Sequence, residues 1–196
     1  AHKRIGHLYP KVEITEEMAA VRPDLKKHVG KKLTVIAWLW ARTVKSPNPA
    51  FSGVDVPLAS TFILSSKETN GAYVQPTVDG YNYTFSVKIG TPPASAEKGT
   101  KLANANFGCL FSGAPIDAKY IRAEACQGRM GTRLLAMVAD GEEGRVYLSP
   151  TEQMEITARS AKPAWKPDLK VTTPCHDIDR LPMYGMFTWG DAFTPR

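Results

Sequence analysis

The longest apolar stretch of the chain reads LTVIAWLWARTV and occupies residues 33–44. It is dense in β-branched and aromatic residues, which favour extended strands. A strand built from it is apolar on both faces, as is typical of strands buried on both sides. The stretch therefore predicts a central strand in a β-rich fold.

Further strands are predicted on the C-terminal side of this stretch, at 57–64, 72–78, 81–89, 120–125, 133–139 and 145–148. The run at 81–89 places on one face Tyr81, Tyr83, Phe85, Val87 and Ile89. Asp79-Gly80 is typical of a tight hairpin turn, and 140–144 is predicted to be the turn between the last two strands. Residues 90–106 have no apolar period and are predicted to be a loop.

The two ends of the chain differ from this β-rich middle. Residues 1–32 are interpreted as a basic, partly helical lead-in, where Thr15 caps a short helix and Pro23 opens a second turn. Residues 33–149 form the β-rich module, and 150–196 form a short helix and a Pro-rich tail. The predicted fold class is α+β, mainly β, with antiparallel strands, hairpins and a few short helices.

Composition excludes several protein classes. The chain has 196 residues, 43% of them apolar, which is too apolar for a disordered tail. The longest apolar run is too short to span a bilayer, and three cysteines do not make a disulfide framework. A cytoplasmic protein without membrane contact is therefore predicted. The start without Met and the abrupt end indicate a piece of a longer protein.

The positive charge is concentrated near the N-terminus. Residues 1–45 carry ten Lys or Arg and four Asp or Glu, whereas the remaining 15 basic and 15 acidic residues cancel. The whole net charge of +6 therefore lies in the first quarter of the chain. Such a segment is typical of a surface that binds a polyanion. The alternative is a solvated basic face without a ligand.

Motifs for catalysis are missing from the sequence. It contains no Gly-rich strand-to-helix turn of the dinucleotide or P-loop type and no His-Glu-x-x-His. Cys175-His176-Asp177 has the residue types of a nucleophile, a base and an orienting acid. Consecutive residues point apart, however, and such groups must converge. No catalytic residue is therefore predicted.

Two short segments have the form of zinc-ribbon turns. SPNPAF at 46–51 follows the long strand, and CLFSG at 109–113 forms the second turn. In a zinc ribbon, two such turns each offer two thiolates to a tetrahedral metal. The four corresponding positions hold Ser46, Phe51, Cys109 and Ser112. One thiolate and two hydroxyls cannot hold zinc, so the prediction is a degenerate, metal-free ribbon.

These segments belong to a longer set of matching motifs. The set comprises IGHLYP at 5–10, VIAWLWARTV at 35–44, SPNPA at 46–50, YIRAE at 120–124, GRMG at 128–131 with Arg133-Leu134, GRVYL at 144–148, YGM at 184–186, GD at 190–191 and FTPR at 193–196. In this order they resemble the adenine-specific DNA methylases that contain a zinc ribbon. That family usually has Cys-Pro-Asn-Pro-Ala-Cys and Cys-x-x-Cys-Gly, and this sequence departs at three of the four cysteines.

The resemblance implies a place within a larger enzyme. Members of that family have a cofactor-binding Asp-Pro-Phe-Ala-Gly-Gly-Gly motif upstream of this region and a catalytic Asp-Pro-Pro-Tyr motif downstream. Neither occurs here. The chain would be the insert between two halves of an S-adenosylmethionine-dependent DNA adenine methyltransferase, inert by itself and without its own cofactor. Many relatives are similar to components of bacterial phage-defence loci.

The insert is expected to contact DNA or to scaffold the two catalytic halves. Enzymes that extract a base need backbone clamps beside the pocket, and phosphates are expected at Lys26, Lys27, Lys31 and Lys32. Further contacts are expected from Arg122, Arg129 and Arg133, with Arg129 in a Gly-x-x-Gly turn that is otherwise a plain hairpin turn. The alternative function is a protein-interaction module that docks other phage-defence subunits.

Overall fold

The computed structural model describes residues 2–67, 71–171 and 180–193 of the chain. The described strands are β1 (Lys11–Glu13), β2 (Lys32–Lys45), β3 (Asp55–Leu58), β4 (Ile63–Ser65), β5 (Ala72–Asp79), β6 (Asn82–Ile89), β7 (Phe107–Gly108), β8 (Pro115–Ile116), β9 (Gly131–Gly141) and β10 (Gly144–Leu148). The described helices are α1 (His2–Ile5), α2 (Glu16–Val21), α3 (Ala94–Lys98), α4 (Ala118–Cys126) and α5 (Glu152–Arg159). Short 3₁₀ turns lie at Gly6–Leu8, Pro23–His28, Pro49–Phe51, Pro182–Tyr184 and Trp189–Ala192.

Strand β2 organises the main sheet. The sheet has the order β1-β2-β9-β10, and β3 pairs with the far end of β2, so one strand has three antiparallel partners. Irregularities in the β2–β9 register lie between Val35 and Ala37 and between Leu39 and Trp40. The predicted central strand is thus confirmed. Its partner β9 is buried on both faces from Leu134 to Ala139, as its apolar run requires.

A second sheet, β4-β5-β6, packs against the first. Its strands are antiparallel, and the β5–β6 hairpin turns at Gly80. Burial on β6 alternates as predicted, with exposed fractions of 7% at Tyr83, 5% at Phe85 and 1% at Val87. These side chains pack with Leu135 of β9 to form a core between the sheets. The predicted fold class, α+β and mainly β, is confirmed.

Two further clusters complete the core. One lies where the lead-in covers the main sheet and contains Ile14, Leu25, Leu33, Val35, Leu134, Met137 and Leu148. The other joins the β2–β3 end of that sheet to the β7–β8 hairpin and α4, and contains Val44, Val56, Cys109, Ile116 and Ile121. The lead-in is thus built into the sheet through β1. Within the described residues, no helix is long and apolar enough to cross a membrane.

The predicted start of α2 at the capping residue Thr15 is confirmed. The Met18 amide donates to Thr15 Oγ1 at 3.3 Å, and Pro23 opens a 3₁₀ turn. The short helix predicted after residue 150 is α5, capped by Thr151, whose Oγ1 accepts from the Met154 amide at 3.2 Å. These side chains satisfy amides that lack a partner within the helix.

Three predictions of local structure were wrong. The strand expected at 120–125 is helix α4, because Asp117 caps it at 2.7 Å from the Tyr120 amide and the following residues are mainly good helix formers. The strand expected at 57–64 is two strands, β3 and β4, which belong to different sheets. The loop expected at 90–106 contains α3. In the last two segments, tertiary packing outweighed the local sequence pattern.

Candidate functional site

A concave site lies where the β2–β3 end of the main sheet meets the β5–β6 turn. It encloses about 620 Å³. We call it the arginine cleft and define it by Phe51, Asp55, Tyr81, Tyr83, Arg133 and Arg159, all of which line it. Phe51 comes from the β2–β3 connection and Asp55 from the start of β3. The β5–β6 hairpin supplies the tyrosines, and β9 and α5 supply the arginines. Four separate parts of the chain therefore meet in one cleft.

Both arginines of the cleft lie against aromatic rings. The guanidinium carbon of Arg133 is 5.4 Å from the centre of the Tyr83 ring, and that of Arg159 is 5.2 Å from the Trp40 ring. These distances are those of cation–π contacts. The side chains remain 45% and 37% exposed, respectively. The aromatic rings therefore orient the guanidinium groups, and part of each arginine side chain remains exposed to a ligand.

One carboxylate serves both arginines. Glu155 Oε1 accepts from Arg159 Nε at 3.0 Å, one helical turn away on α5, and Glu155 Oε2 lies 3.8 Å from Arg133 Nε. Arg159 Nη2 also donates to the Thr132 carbonyl at 2.5 Å. Two positive charges thus share one negative charge, which leaves a net positive charge at this edge of the cleft.

A chain of aromatic rings, joined to Arg133 through Tyr83, forms a second wall. The rings of Phe51 and Phe111 stack at 5.4 Å between centres, with 28° between their planes. Tyr81 packs against Phe51 at 5.6 Å, and Tyr83 meets Phe111 edge-on at 5.8 Å. Burial raises the pKa of Tyr83 to about 12, so this phenol is neutral at physiological pH. At the outer end of the wall, Tyr81 is 67% exposed.

The two predicted ribbon turns meet behind this wall. Ser46 Oγ and Cys109 Sγ are hydrogen-bonded at 3.4 Å. Each turn also has a backbone amide that donates to its own serine, from Asn48 to Ser46 at 3.3 Å and from Ala114 to Ser112 at 3.4 Å. The sequence therefore located both turns correctly.

The ribbon positions do not fit a zinc ion. Phe51 holds one ligand position with a ring that packs on Phe111, and the described residues contain no group of three His, Cys, Asp or Glu able to hold a metal. Burial opposes ionisation of the Cys109 thiol, but hydrogen bonds from Ser112, Ser46 and backbone amides outweigh it and lower its pKa. With Ser46 beside it, this thiol joins the two turns through a hydrogen bond.

Ion pairs engage most of the predicted lysine surface. Lys27 pairs with Glu143, Lys31 Nζ lies 2.8 Å from Glu142, and Lys32 Nζ lies 3.6 Å from Glu13. Lys26 is exposed and has no acidic partner within the part of the chain that the structure describes. Phosphate binding by these four lysines stays a prediction, and it would require three of them to exchange partners.

These ion pairs should be visible in the titration of the turn between β9 and β10. The Lys31 hydrogen bond holds the pKa of Glu142 below its ordinary value, and Lys27 does the same for Glu143. A carboxylate with a lowered pKa stabilises the fold above its unfolded pKa, and this contribution is lost as the pH falls through the folded pKa. We expect Lys31→Gln to raise the pKa of Glu142 in an NMR titration. Lys26→Gln is the control and should change neither glutamate; an ordinary Glu142 pKa in the unmodified protein would contradict the assignment.

The remaining predicted arginines are apart from the cleft. Arg129 Nε donates to Glu124 Oε2 at 3.0 Å, a second donor reaches Glu124 Oε1, and this pairing lowers the pKa of the carboxyl. Gly128 adopts φ +69° directly after α4, so the Gly-x-x-Gly segment ends a helix rather than turning a hairpin. The guanidinium carbon of Arg122, within α4, lies 5.7 Å from the Tyr184 ring centre. Of the seven predicted contacts, only Arg133 lines the arginine cleft.

Of the six residues that define this cleft, the sequence predicts only Arg133 as a site residue, and it misses the other five. Arg159 follows Glu155 by four residues, the spacing of an ion pair on a helix. This spacing is visible in the sequence. The alternating pattern predicts Tyr81 to be part of a strand, whereas Tyr81 follows Gly80 in the turn itself. Phe51 is predicted only as the residue at one of the four ribbon positions. Cys175-His176-Asp177 lies outside the described residues.

Comparison of the chain with protein-family models, with curated proteins and with solved structures finds no match.

Proposed function

We propose that this chain is the DNA-contacting insert of an S-adenosylmethionine-dependent DNA adenine methyltransferase of the bacterial cytoplasm. The flanking halves of that enzyme would bind the cofactor and transfer its methyl group to the exocyclic amine of adenine, and the insert alone would be inert. The motif resemblance supports the parent enzyme. The observation that carries DNA contact is the arginine cleft, with two arginines oriented by aromatic rings beside an exposed tyrosine.

The chemistry of the cleft suits a nucleic-acid backbone. Arginine presents a planar set of donors that matches phosphate geometry, and an oriented side chain loses less entropy when it binds. Arg133 and Arg159 combine these features with a shared carboxylate that neutralises only one charge. The three paired lysines differ in that each has a carboxylate of its own. The cleft is therefore the favoured place for phosphate contact.

A second candidate function, docking, is favoured by the tail. Backbone hydrogen bonds link Val171 to Phe187 at 2.9 Å and Gly190 to Pro167 at 2.8 Å. The Lys166 hydrogen bond and the Thr188 amide lower the pKa of Asp191 to about 2. An ion pair between Lys166 and Asp191 closes this segment of the tail. Four large apolar side chains on it are exposed, at Trp165, Leu169, Phe187 and Phe193. An exposed apolar surface of this kind suits a protein partner, either the catalytic halves or other phage-defence subunits.

Salt-dependent DNA binding tests the proposed function. We expect Arg133→Gln combined with Arg159→Gln to make the slope of log affinity against log salt less negative by about 1.4 to 1.8, since each phosphate contact contributes about 0.7 to 0.9. Fluorescence anisotropy with labelled DNA measures the slope. Arg133→Lys with Arg159→Lys keeps both charges and should keep the slope.

Matched variants separate the two basic surfaces. Lys98→Gln with Lys119→Gln removes two exposed charges away from the cleft and should leave the slope nearly unchanged. A quadruple Gln variant of Lys26, Lys27, Lys31 and Lys32 would flatten the slope by about three units if those lysines hold phosphates. That result with an unchanged slope in the arginine variant would refute contact at the cleft. No DNA binding at low salt would favour the docking function.

A further inference from the structure

We infer that the arginine cleft is a site for single-stranded DNA, in which an unpaired base stacks on Tyr81 while Arg133 and Arg159 hold the neighbouring backbone. This inference rests on the proposed function and names the form of DNA that the cleft takes. It follows from the position of Tyr81, from the composition of the two walls and from the shape of the cleft.

Tyr81 is placed to offer a free ring face. It follows Gly80 at the tip of the β5–β6 hairpin, where the glycine adopts φ +56°. Phe51 supports the ring from one direction in a tilted contact of 53°, and the side chain is still 67% exposed. The next tyrosine on the same hairpin, Tyr83, is 7% exposed and belongs to the core. The hairpin thus holds one aromatic ring in the core and presents another to the cleft.

The two walls divide the recognition of a nucleotide between them. The aromatic wall offers a surface for a base, and base stacking on an aromatic side chain tolerates any sequence. The arginine wall offers charge and planar donors, which suit phosphate. Asp55 also lines the cleft, but Lys45 Nζ lies 3.1 Å from its carboxylate, so it adds little net repulsion. A ring beside a basic surface is the arrangement that binds single strands.

The shape of the cleft favours an unpaired strand over a duplex. At about 620 Å³ it is concave and comparable with a small-molecule site. In a duplex the base faces are covered by their neighbours, so Tyr81 would find no partner. In a single strand the faces are available and the backbone can bend into the cleft. A free nucleotide carries the same base and phosphate chemistry, so the test must distinguish it from a strand.

Binding of matched probes by the full 196-residue chain tests this inference. The probes are a labelled single strand of about 12 nucleotides, the duplex of the same sequence, and deoxyadenosine monophosphate as a competitor. We expect tighter binding to the single strand than to the duplex and poor competition by the nucleotide. Tyr81→Ala should weaken single-strand binding about 5- to 100-fold, leave duplex binding unchanged and leave the salt slope unchanged, because no charge is lost.

Two controls and three outcomes complete the test. Tyr81→Phe keeps the ring and should keep affinity. Leu102→Ala removes an exposed apolar side chain outside the cleft, 45% exposed, and should leave both DNA affinities unchanged. Equal or tighter duplex binding, or unchanged single-strand binding by Tyr81→Ala, would overturn this inference while the proposed function stood. Equal affinity for the nucleotide and the strand would assign the cleft to free nucleotides and overturn it as well. Absence of binding to both DNA forms would refute the proposed function itself.

Discussion

Replacing Arg22 with methionine should lower the free energy of unfolding by about 2 to 4 kcal/mol, because one buried and one partly buried carbonyl lose their donor. Arg22 is 8% exposed. Its Nη1 donates to the Val87 carbonyl at 3.1 Å and its Nη2 to the Tyr147 carbonyl at 3.2 Å. One side chain from the lead-in therefore joins β6 of the second sheet to β10 of the main sheet. Urea denaturation measures the loss.

Geometry, rather than charge alone, should account for this effect. Arg22 Nε and Nη2 both donate to the Asp24 carboxylate at 2.7 Å, which fixes the plane of the guanidinium. Lysine cannot reproduce this fork, so Arg22→Lys should recover only a small part of the lost stability. Arg145→Met, at an exposed arginine, is the control and should be nearly neutral. A loss below about 0.5 kcal/mol for Arg22→Met, the range of ordinary surface substitutions, would contradict this role.

The Gly99→Ala variant should lose about 2 to 4 kcal/mol, for two reasons that can be separated. Gly99 has φ +55°, and a Cβ there would overlap the Ala59 carbonyl oxygen and lie 2.9 Å from the Thr61 amide nitrogen. Both neighbours are backbone atoms of the link between β3 and β4 and cannot rotate away. An alanine at position 99 would therefore introduce both backbone strain and a steric clash.

Gly30 provides the matched control for backbone strain. It has φ +76°, but a Cβ there would meet no atom within 4 Å. Gly30→Ala should therefore cost only about 1 kcal/mol, the strain of a left-handed residue. Thermal and urea denaturation of both variants measure the difference. Equal losses would mean that the neighbours of Gly99 move aside and that the predicted clash is absent.

Patterns within single strands predicted the β framework well. The apolar run at 33–44 predicted β2, and the alternation from Tyr83 to Val87 predicted the buried face of β6. These patterns depend on periodicity alone, so they can be identified without knowing the partner strand. The split between β3 and β4 could not be found this way, because the change of sheet across residues 59–62 depends on where distant strands lie.

The candidate site was less predictable because its parts are far apart in sequence. Arg133 was identified from its charge, but its neighbours Tyr83 and Glu155 come from other elements. The lysines form an evident basic cluster in the sequence, yet Glu143 and Glu142, the partners of Lys27 and Lys31, lie in a turn more than 100 residues later. Counting the charges along the sequence does not show which charged groups lie close together in the fold. Only the folded chain shows which charges are already paired.

The pairing of β2 with β9 has a consequence for how the chain comes to fold. Thr34 pairs with Asp140 and Thr43 with Gly131, so most of β2 depends on a strand made much later in synthesis. Non-local pairing of this kind slows folding, because the long intervening chain must close before the contacts form. Until β9 emerges, the backbone edge of β2 that pairs with it remains open and prone to association. A nascent chain of this protein should thus depend on chaperones until the second half of its main sheet has left the ribosome.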